Sequence, residues 1–137
     1  LLILAICRLR AALRRRRLSP QEQARRALDR LLNQHLIENG QFREFYFELT
    51  AIVRRYIEGS TGVRAPEQTT EEFLQIARTD PRFPAAFLAT LGDFLMKADL
   101  VKYANLAPAP GSVADAVAAA RAVIETPLSQ PPPPTSS

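Results

Sequence analysis

The sequence predicts an all-α protein, arranged as a small five-helix bundle that follows the truncated end of a transmembrane helix. Apolar residues recur at three- and four-residue steps along most of the chain, and no stretch sustains the period-two alternation of a strand. The first seventeen residues pass directly from an apolar run to an arginine-rich run. These patterns divide the 137 residues into a membrane-proximal segment at 1–17, a helical domain at 18–126 and a proline-rich tail at 127–137, which we expect to be disordered.

The N-terminal segment has the order of residues that is typical of the cytoplasmic end of a membrane span. Leu1–Cys7 is apolar, but a hydrocarbon core about 30 Å thick needs about 20 apolar helical residues, so we interpret this run as the last part of a longer span. In a secretory signal peptide the positive charge would precede the apolar run, whereas here it follows. By the positive-inside rule, the next domain is expected on the cytoplasmic side. The membrane-proximal basic residues are Arg8, Arg10, Arg14, Arg15, Arg16 and Arg17.

The positive charge of the chain is concentrated in this N-terminal part. Residues 1–26 contain eight arginines and one acid, a net charge of +7, while residues 27–137 contain ten basic and thirteen acidic groups, a net charge of −3. A nucleic-acid-binding domain more often spreads basic residues over its folded surface. The charge distribution therefore argues against a nucleic-acid partner, and a basic nucleic-acid-binding helical domain is kept as the alternative function.

Two helices are expected in the first half of the domain. Ser19 and Glu22 have the capping-box spacing, which predicts a helix from residue 20 to about residue 38 that ends at Asn39-Gly40. The next helix, about 41–58, has the strongest periodicity and is expected to be the central helix of the core. Its apolar stripe consists of Phe42, Phe45, Tyr46, Leu49, Ile52, Val53, Tyr56 and Ile57.

Three further helices are expected in the second half of the domain. Thr69 and Glu72 repeat the capping-box spacing at the start of a short helix. The segment before it, at 64–67, is expected to be extended because it contains a proline. A longer helix is predicted over about 84–104, and a last one begins where Ser112 is placed to cap it.

No pattern of catalytic residues is present. The chain lacks a glycine-rich phosphate loop, a zinc-ligand spacing and a nucleophile elbow, so we predict that it is not an enzyme and has no catalytic, cofactor-binding or metal-binding residues. His35, the only histidine, is expected to be a partly buried structural residue on the apolar face of its helix. The pairs Asp93/Lys97 and Asp99/Lys102 have the spacing of surface ion pairs along one helix.

Arg54 and Arg55 are adjacent in the central helix, and two interpretations of them are open. Two neighbouring guanidinium groups offer several hydrogen-bond donors to a phosphate or a carboxylate. Alternatively, Tyr56 faces the core while the two arginines flank it on the solvated side of the helix, and this second interpretation is the one that we favour.

Three segments of the chain carry a family resemblance. They are FYFELTAIVRRYIEG at 45–59, VRAPEQTTEEFL at 63–74 and FLMKADLVKYA at 94–104. Together they resemble the BatD-like family of bacterial single-pass membrane proteins, which belong to the Bat aerotolerance operons beside MoxR-type ATPases and von Willebrand A-domain proteins. The resemblance spans residues 20–126 and is weakest at 58–63, where the chain reads EGSTGV in place of an Arg-Phe-Gly-like turn.

The resemblance implies a location and a set of partners, but it carries over no catalytic residue. It implies an inner-membrane protein with a cytoplasmic helical domain that acts with a MoxR-type ATPase and von Willebrand A-domain proteins. Within this domain, the 63–70 loop and residues 99–102 contain polar residues in a fixed order that the amphipathic pattern of a helix does not explain. We therefore expect a partner-binding surface there. The candidate residues are Arg64, Glu67, Thr69, Thr70, Asp99 and Lys102.

Overall fold

The computed structural model describes residues 1–104 and 106–128, with the side chains of residues 12–17 and 66 outside this description. Within those residues every regular element is a helix and no strand is present, so the predicted all-α class is confirmed. The α-helices are α1 (Leu2–Arg17), α2 (Pro20–Leu32), α3 (Phe42–Thr61), α4 (Thr70–Arg78), α5 (Ala85–Tyr103) and α6 (Ser112–Glu125), and a 3₁₀ helix (Ala65–Glu67) precedes α4.

The helix α1 contains both the apolar run and the arginine-rich run. Leu2, Ile3 and Leu4 at its start are exposed by 78%, 77% and 64%. The helix ends at Arg17 and is followed by the C-cap Leu18, whose backbone is extended at φ −74° and ψ 129°. Among the described residues, none of the helices has the length and apolar character needed to cross a membrane, so the truncated span stays a prediction.

The helix α2 is shorter than the sequence predicted. Its start follows the prediction, since Oγ of Ser19 accepts a hydrogen bond from the Glu22 N–H at 3.1 Å. It ends at Leu32, so the predicted end near residue 38 is wrong. Residues 33–40 form turns, and His35 has a φ of 54°, a left-handed conformation that interrupts a right-handed helix.

The helix α3 is the centre of the core, as its periodicity predicted. Leu49, Val53 and Ile57 on one face are fully buried, and Phe45 and Tyr56 are exposed by only 2% and 3%. The helix packs against α2, α5 and α6, so most of its circumference is covered. Gly62 ends it in the left-handed conformation, with a φ of 79°.

The segment before α4 differs from the prediction, while the start of α4 agrees with it. Residues 65–67 form a 3₁₀ helix instead of an extended segment, because the buried Ala65 packs against α3 and its neighbours turn around it. The capping box at Thr69 is confirmed, since the Thr69 hydroxyl accepts from the Glu72 N–H and the Glu72 carboxylate accepts from the Thr69 N–H.

The helix α6 closes the bundle by returning to α2 and α3. Gly111, with a φ of 84°, holds the N-cap position, so the expectation that Ser112 caps this helix is wrong, and the Ser112 hydroxyl donates to the Ala109 carbonyl at 2.7 Å instead. At the other end, the Tyr56 hydroxyl donates to the Thr126 carbonyl, and burial raises the pKa of Tyr56. The predicted disordered tail falls mostly on residues 129–137, which lie outside the described residues.

Candidate functional site: a basic cleft between α3, α4 and α5

The 63–70 loop and the 99–102 end of α5, which the sequence singled out, meet at one cleft. This cleft has a volume of about 480 Å³ and lies between the middle of α3, the start of α4 and the end of α5. Its lining contains four of the six candidate residues, while Arg64 and Glu67 lie outside it. The lining residues are Phe47, Thr50, Ala51, Arg54, Arg55, Gln68, Thr69, Thr70, Asp99, Lys102 and Tyr103.

Arg64 and Glu67 form an exposed pair away from the cleft. Nη1 of Arg64 lies 3.8 Å from Oε2 of Glu67, and the two side chains are exposed by 78% and 71%. The pair lies at the 3₁₀ helix, whose buried Ala65 faces the core while these two side chains extend into solvent.

Arg54 forms the inner wall of the cleft, which corrects the expectation that it is solvated. The residue is only 8% exposed. Its Nη1 donates to the Ala65 carbonyl at 3.0 Å and to the Gln68 carbonyl, and its Nη2 donates to Oγ1 of Thr70 at 2.9 Å. One guanidinium therefore fixes the loop before α4 against α3. Nothing in the α3 periodicity distinguishes Arg54 from the exposed Arg55, because both lie at the edge of the same stripe.

The positive charge of Arg54 is incompletely compensated. Among the described residues, no carboxylate lies within ion-pair distance of it. Burial lowers the pKa of Arg54 and the nearby Asp99 opposes this effect, but a guanidinium keeps its charge in a protein. Its Nε is buried without a hydrogen-bond partner, and so is Oε1 of Gln68. The cleft wall thus holds one unsatisfied donor and one unsatisfied acceptor.

Lys102 is the second buried cation, although the sequence suggested a surface ion pair with Asp99. Its side chain is only 7% exposed, and Nζ lies 3.8 Å from Oδ1 of Asp99. Nζ also donates to Oγ1 of Thr50 at 3.3 Å, and it lies 4.8 Å and 5.1 Å from the ring centroids of Phe47 and Tyr103. The aromatic faces attract the ammonium and replace part of its lost hydration.

Two aromatic rings form the rim of the cleft. The rings of Phe47 and Tyr103 meet edge to face, with centroids 5.9 Å apart and planes at 86°. Phe47 is 37% exposed and Tyr103 is 69% exposed. Arg55, which is exposed, supplies a guanidinium at the mouth of the cleft. The site therefore combines buried positive charge with an accessible aromatic surface.

A second cleft, of about 780 Å³, lies between α2 and α3. Arg26 and Arg30 of α2 and Arg55 of α3 are exposed along it. No carboxylate lies within ion-pair distance of these three guanidinium groups in the part of the chain that the structure describes. This surface is a second exposed basic region of the helical domain.

The other residues considered from the sequence lie elsewhere. His35 is exposed by 70% in the turn after α2, with Nδ1 3.6 Å from Oε2 of Glu38, so the expectation of a partly buried histidine on a helix face is wrong. The Asp93/Lys97 pair is a surface ion pair at 2.9 Å, as expected. Arg8 and Arg10 are exposed on α1, whereas the predictions for Arg14–Arg17 fall on side chains outside the description.

The arrangement contains no metal centre in the described ranges, where no three His, Cys, Asp or Glu residues cluster. Comparison with protein-family models, with curated proteins and with solved structures gives no match to this chain.

Proposed function

We propose that this chain is a membrane-anchored, non-catalytic interaction domain that binds a protein partner through the α3–α4–α5 cleft. In this proposal a small bundle of five helices, α2–α6, follows a membrane-spanning helix that ends in α1. The observation that carries the proposal is the meeting of Gln68–Thr70 with Asp99–Tyr103 in one cleft with an aromatic rim. Aromatic residues exposed beside a concave surface are typical anchors for a protein partner.

The membrane attachment in this proposal is supported by the two halves of α1. Its apolar start is exposed, and arginines follow directly, an order that suits the cytoplasmic end of a span in a bacterial inner membrane. The helical domain would then lie on the cytoplasmic side. The resemblance to BatD-like proteins suggests a MoxR-type ATPase or a von Willebrand A-domain protein as the partner.

A capture experiment tests the proposed function. The full chain, in detergent, is immobilised and exposed to a purified MoxR-type ATPase or a purified von Willebrand A-domain protein from the same genome. Arg55→Gln combined with Tyr103→Ala alters exposed cleft residues, so the fold should survive and binding should be lost. Arg78→Gln, at the exposed far end of α4, is the control that removes a charge outside the cleft. Capture that is equal for all three proteins would contradict the proposal.

Nucleic-acid binding is the second candidate function, favoured by Arg26, Arg30 and Arg55 along the α2–α3 cleft. Phosphate contacts make affinity fall steeply with salt, so an anisotropy titration with labelled DNA and RNA at two ionic strengths tests it. A strong salt dependence that Arg26→Gln and Arg30→Gln together reduce would support this candidate, and absence of binding at low salt would remove it.

A further inference from the structure

The α3–α4–α5 cleft has more positive charge than its own residues compensate. Arg54, Arg55 and Lys102 line it together with a single carboxylate, Asp99. Arg54 and Lys102 are more than nine-tenths buried, and the carboxylate of Asp99 is 3.8 Å from the lysine rather than in close contact. A buried cation without a close counter-charge favours the entry of an anion.

The donors that remain free in the cleft belong to Arg55. Arg54 has already committed Nη1 and Nη2 to Ala65, Gln68 and Thr70, and Lys102 is held by Thr50, Asp99 and the aromatic rings. The exposed guanidinium of Arg55 therefore remains, and its planar fork matches the two oxygens of a carboxylate. A phosphate fits the same fork, but a carboxylate is supplied by the unmodified acidic side chains of a protein partner.

The rim of the cleft suits a peptide rather than a free anion. The ring of Tyr103 is 69% exposed beside Arg55 and meets the ring of Phe47 edge to face, so it offers an apolar contact next to the guanidinium. Nε of Arg54 and Oε1 of Gln68 have no hydrogen-bond partner, but both atoms are buried and therefore do not meet a ligand directly.

We propose that the cleft binds an acidic peptide segment of the protein partner. One aspartate or glutamate carboxylate of that segment pairs with Arg55, and an apolar side chain packs on the exposed ring of Tyr103. This inference rests on the proposed function, since it names the chemistry of the segment that the interaction domain recognises.

Nitrogen-15 NMR titrations of the full chain in detergent micelles test the inference. The probe is a capped eight-residue peptide of alternating leucine and glutamate, and the matched probes carry glutamine or phosphoserine in place of glutamate. Saturable shifts of the Thr69, Thr70 and Tyr103 amides are expected with the glutamate peptide. The glutamine peptide should bind about tenfold more weakly, because it lacks the charge-assisted contact.

The variants locate the contact. Arg55→Gln should reduce the affinity for the glutamate peptide about fivefold to tenfold and Tyr103→Ala should also weaken it, while the control Arg78→Gln should leave it within about twofold. Equal affinities for the glutamate and glutamine peptides would overturn the inference. Tighter binding of the phosphoserine peptide than of the glutamate peptide would also overturn it. A loss of affinity in Arg78→Gln as large as that in Arg55→Gln would have the same consequence.

The two proposals fail in different ways. If capture of the partner protein depends on Arg55 and Tyr103 but the glutamate peptide neither binds nor competes, the acidic-peptide inference is wrong and the interaction domain stands. If the glutamate peptide binds the cleft while capture of the partner is unaffected by the cleft variants, the proposed function through this surface is wrong.

Discussion

Nη2 of Arg54 donates to Oγ1 of Thr70 at 2.9 Å, and both residues are more than nine-tenths buried. This bond joins the middle of α3 to the first residue of α4. Together with the bonds to the Ala65 and Gln68 carbonyls, it holds the wall of the α3–α4–α5 cleft in place.

Loss of this contact should destabilise the fold. Thr70→Val keeps the shape of the side chain but leaves Nη2 of Arg54 without an acceptor, so the free energy of unfolding should fall by about 1–3 kcal/mol. Thr90→Val is the matched control, because the exposed Thr90 hydroxyl bonds only within α5, and its effect should stay within about 0.5 kcal/mol. Urea denaturation followed by circular dichroism measures both values, and equal effects of the two variants would contradict this role of Thr70.

Phe45 should be among the most sensitive positions of the core. It is 2% exposed and meets the ring of Tyr46 edge to face, with centroids 5.7 Å apart. Phe45→Ala should reduce the free energy of unfolding by about 3–5 kcal/mol, a large part of the stability of a small domain. Met96→Ala, at a position that is 62% exposed on α5, should have a much smaller effect. A melting temperature of Phe45→Ala close to that of the unmodified chain would show that this face of α3 is not the core.

The Asp80–Arg82 pair should make stability depend on pH in the acid range. The Arg82 guanidinium, hydrogen-bonded to the Asp80 carboxylate, holds the pKa of Asp80 below its ordinary value of 3.8. Because the folded pKa is the lower one, the stabilisation is complete above the ordinary value and is lost as the pH falls through the folded pKa. The difference in melting temperature between the unmodified chain and Asp80→Asn should therefore shrink as the pH is lowered below 3.8. A difference that stays constant down to about pH 2 would exclude this contribution.

The arginines at the end of α1 should set the orientation in a membrane. If residues 1–7 end a span, the full gene product should resist carbonate extraction, with the helical domain on the cytoplasmic side. Replacing Arg14–Arg17 by neutral residues should invert part of the population. A peripheral basic segment would instead be attracted by about 1 kcal/mol per arginine, in a salt-dependent way. Release of the full-length protein by high salt alone would therefore rule out the integral anchor.

Local patterns in the sequence were sufficient to predict the helical class, several helix starts and the core face of α3. The N-cap bond at Ser19 and the capping box at Thr69 are formed by residues three positions apart, and the stripe through Phe45 and Tyr56 follows from the helical period. Such features depend on neighbours within one or two turns. The same reasoning found Thr69, Thr70, Asp99 and Lys102 of the cleft, because they belong to short segments with an unusual order of polar residues.

Which polar residues are buried depends on the tertiary structure. Arg54 is buried because acceptors 11 to 16 positions later fold over it, and Lys102 is buried because Thr50, 52 positions earlier, and Phe47 lie beside it. The helical period carries no information about these distant partners, so the sequence alone predicted both cations in solvent. The early end of α2 has a similar cause, because His35 adopts a left-handed backbone where the chain turns back toward α3. Burial of a charged side chain becomes favourable only when distant segments bring its hydrogen-bond partners, and that condition belongs to the assembled bundle.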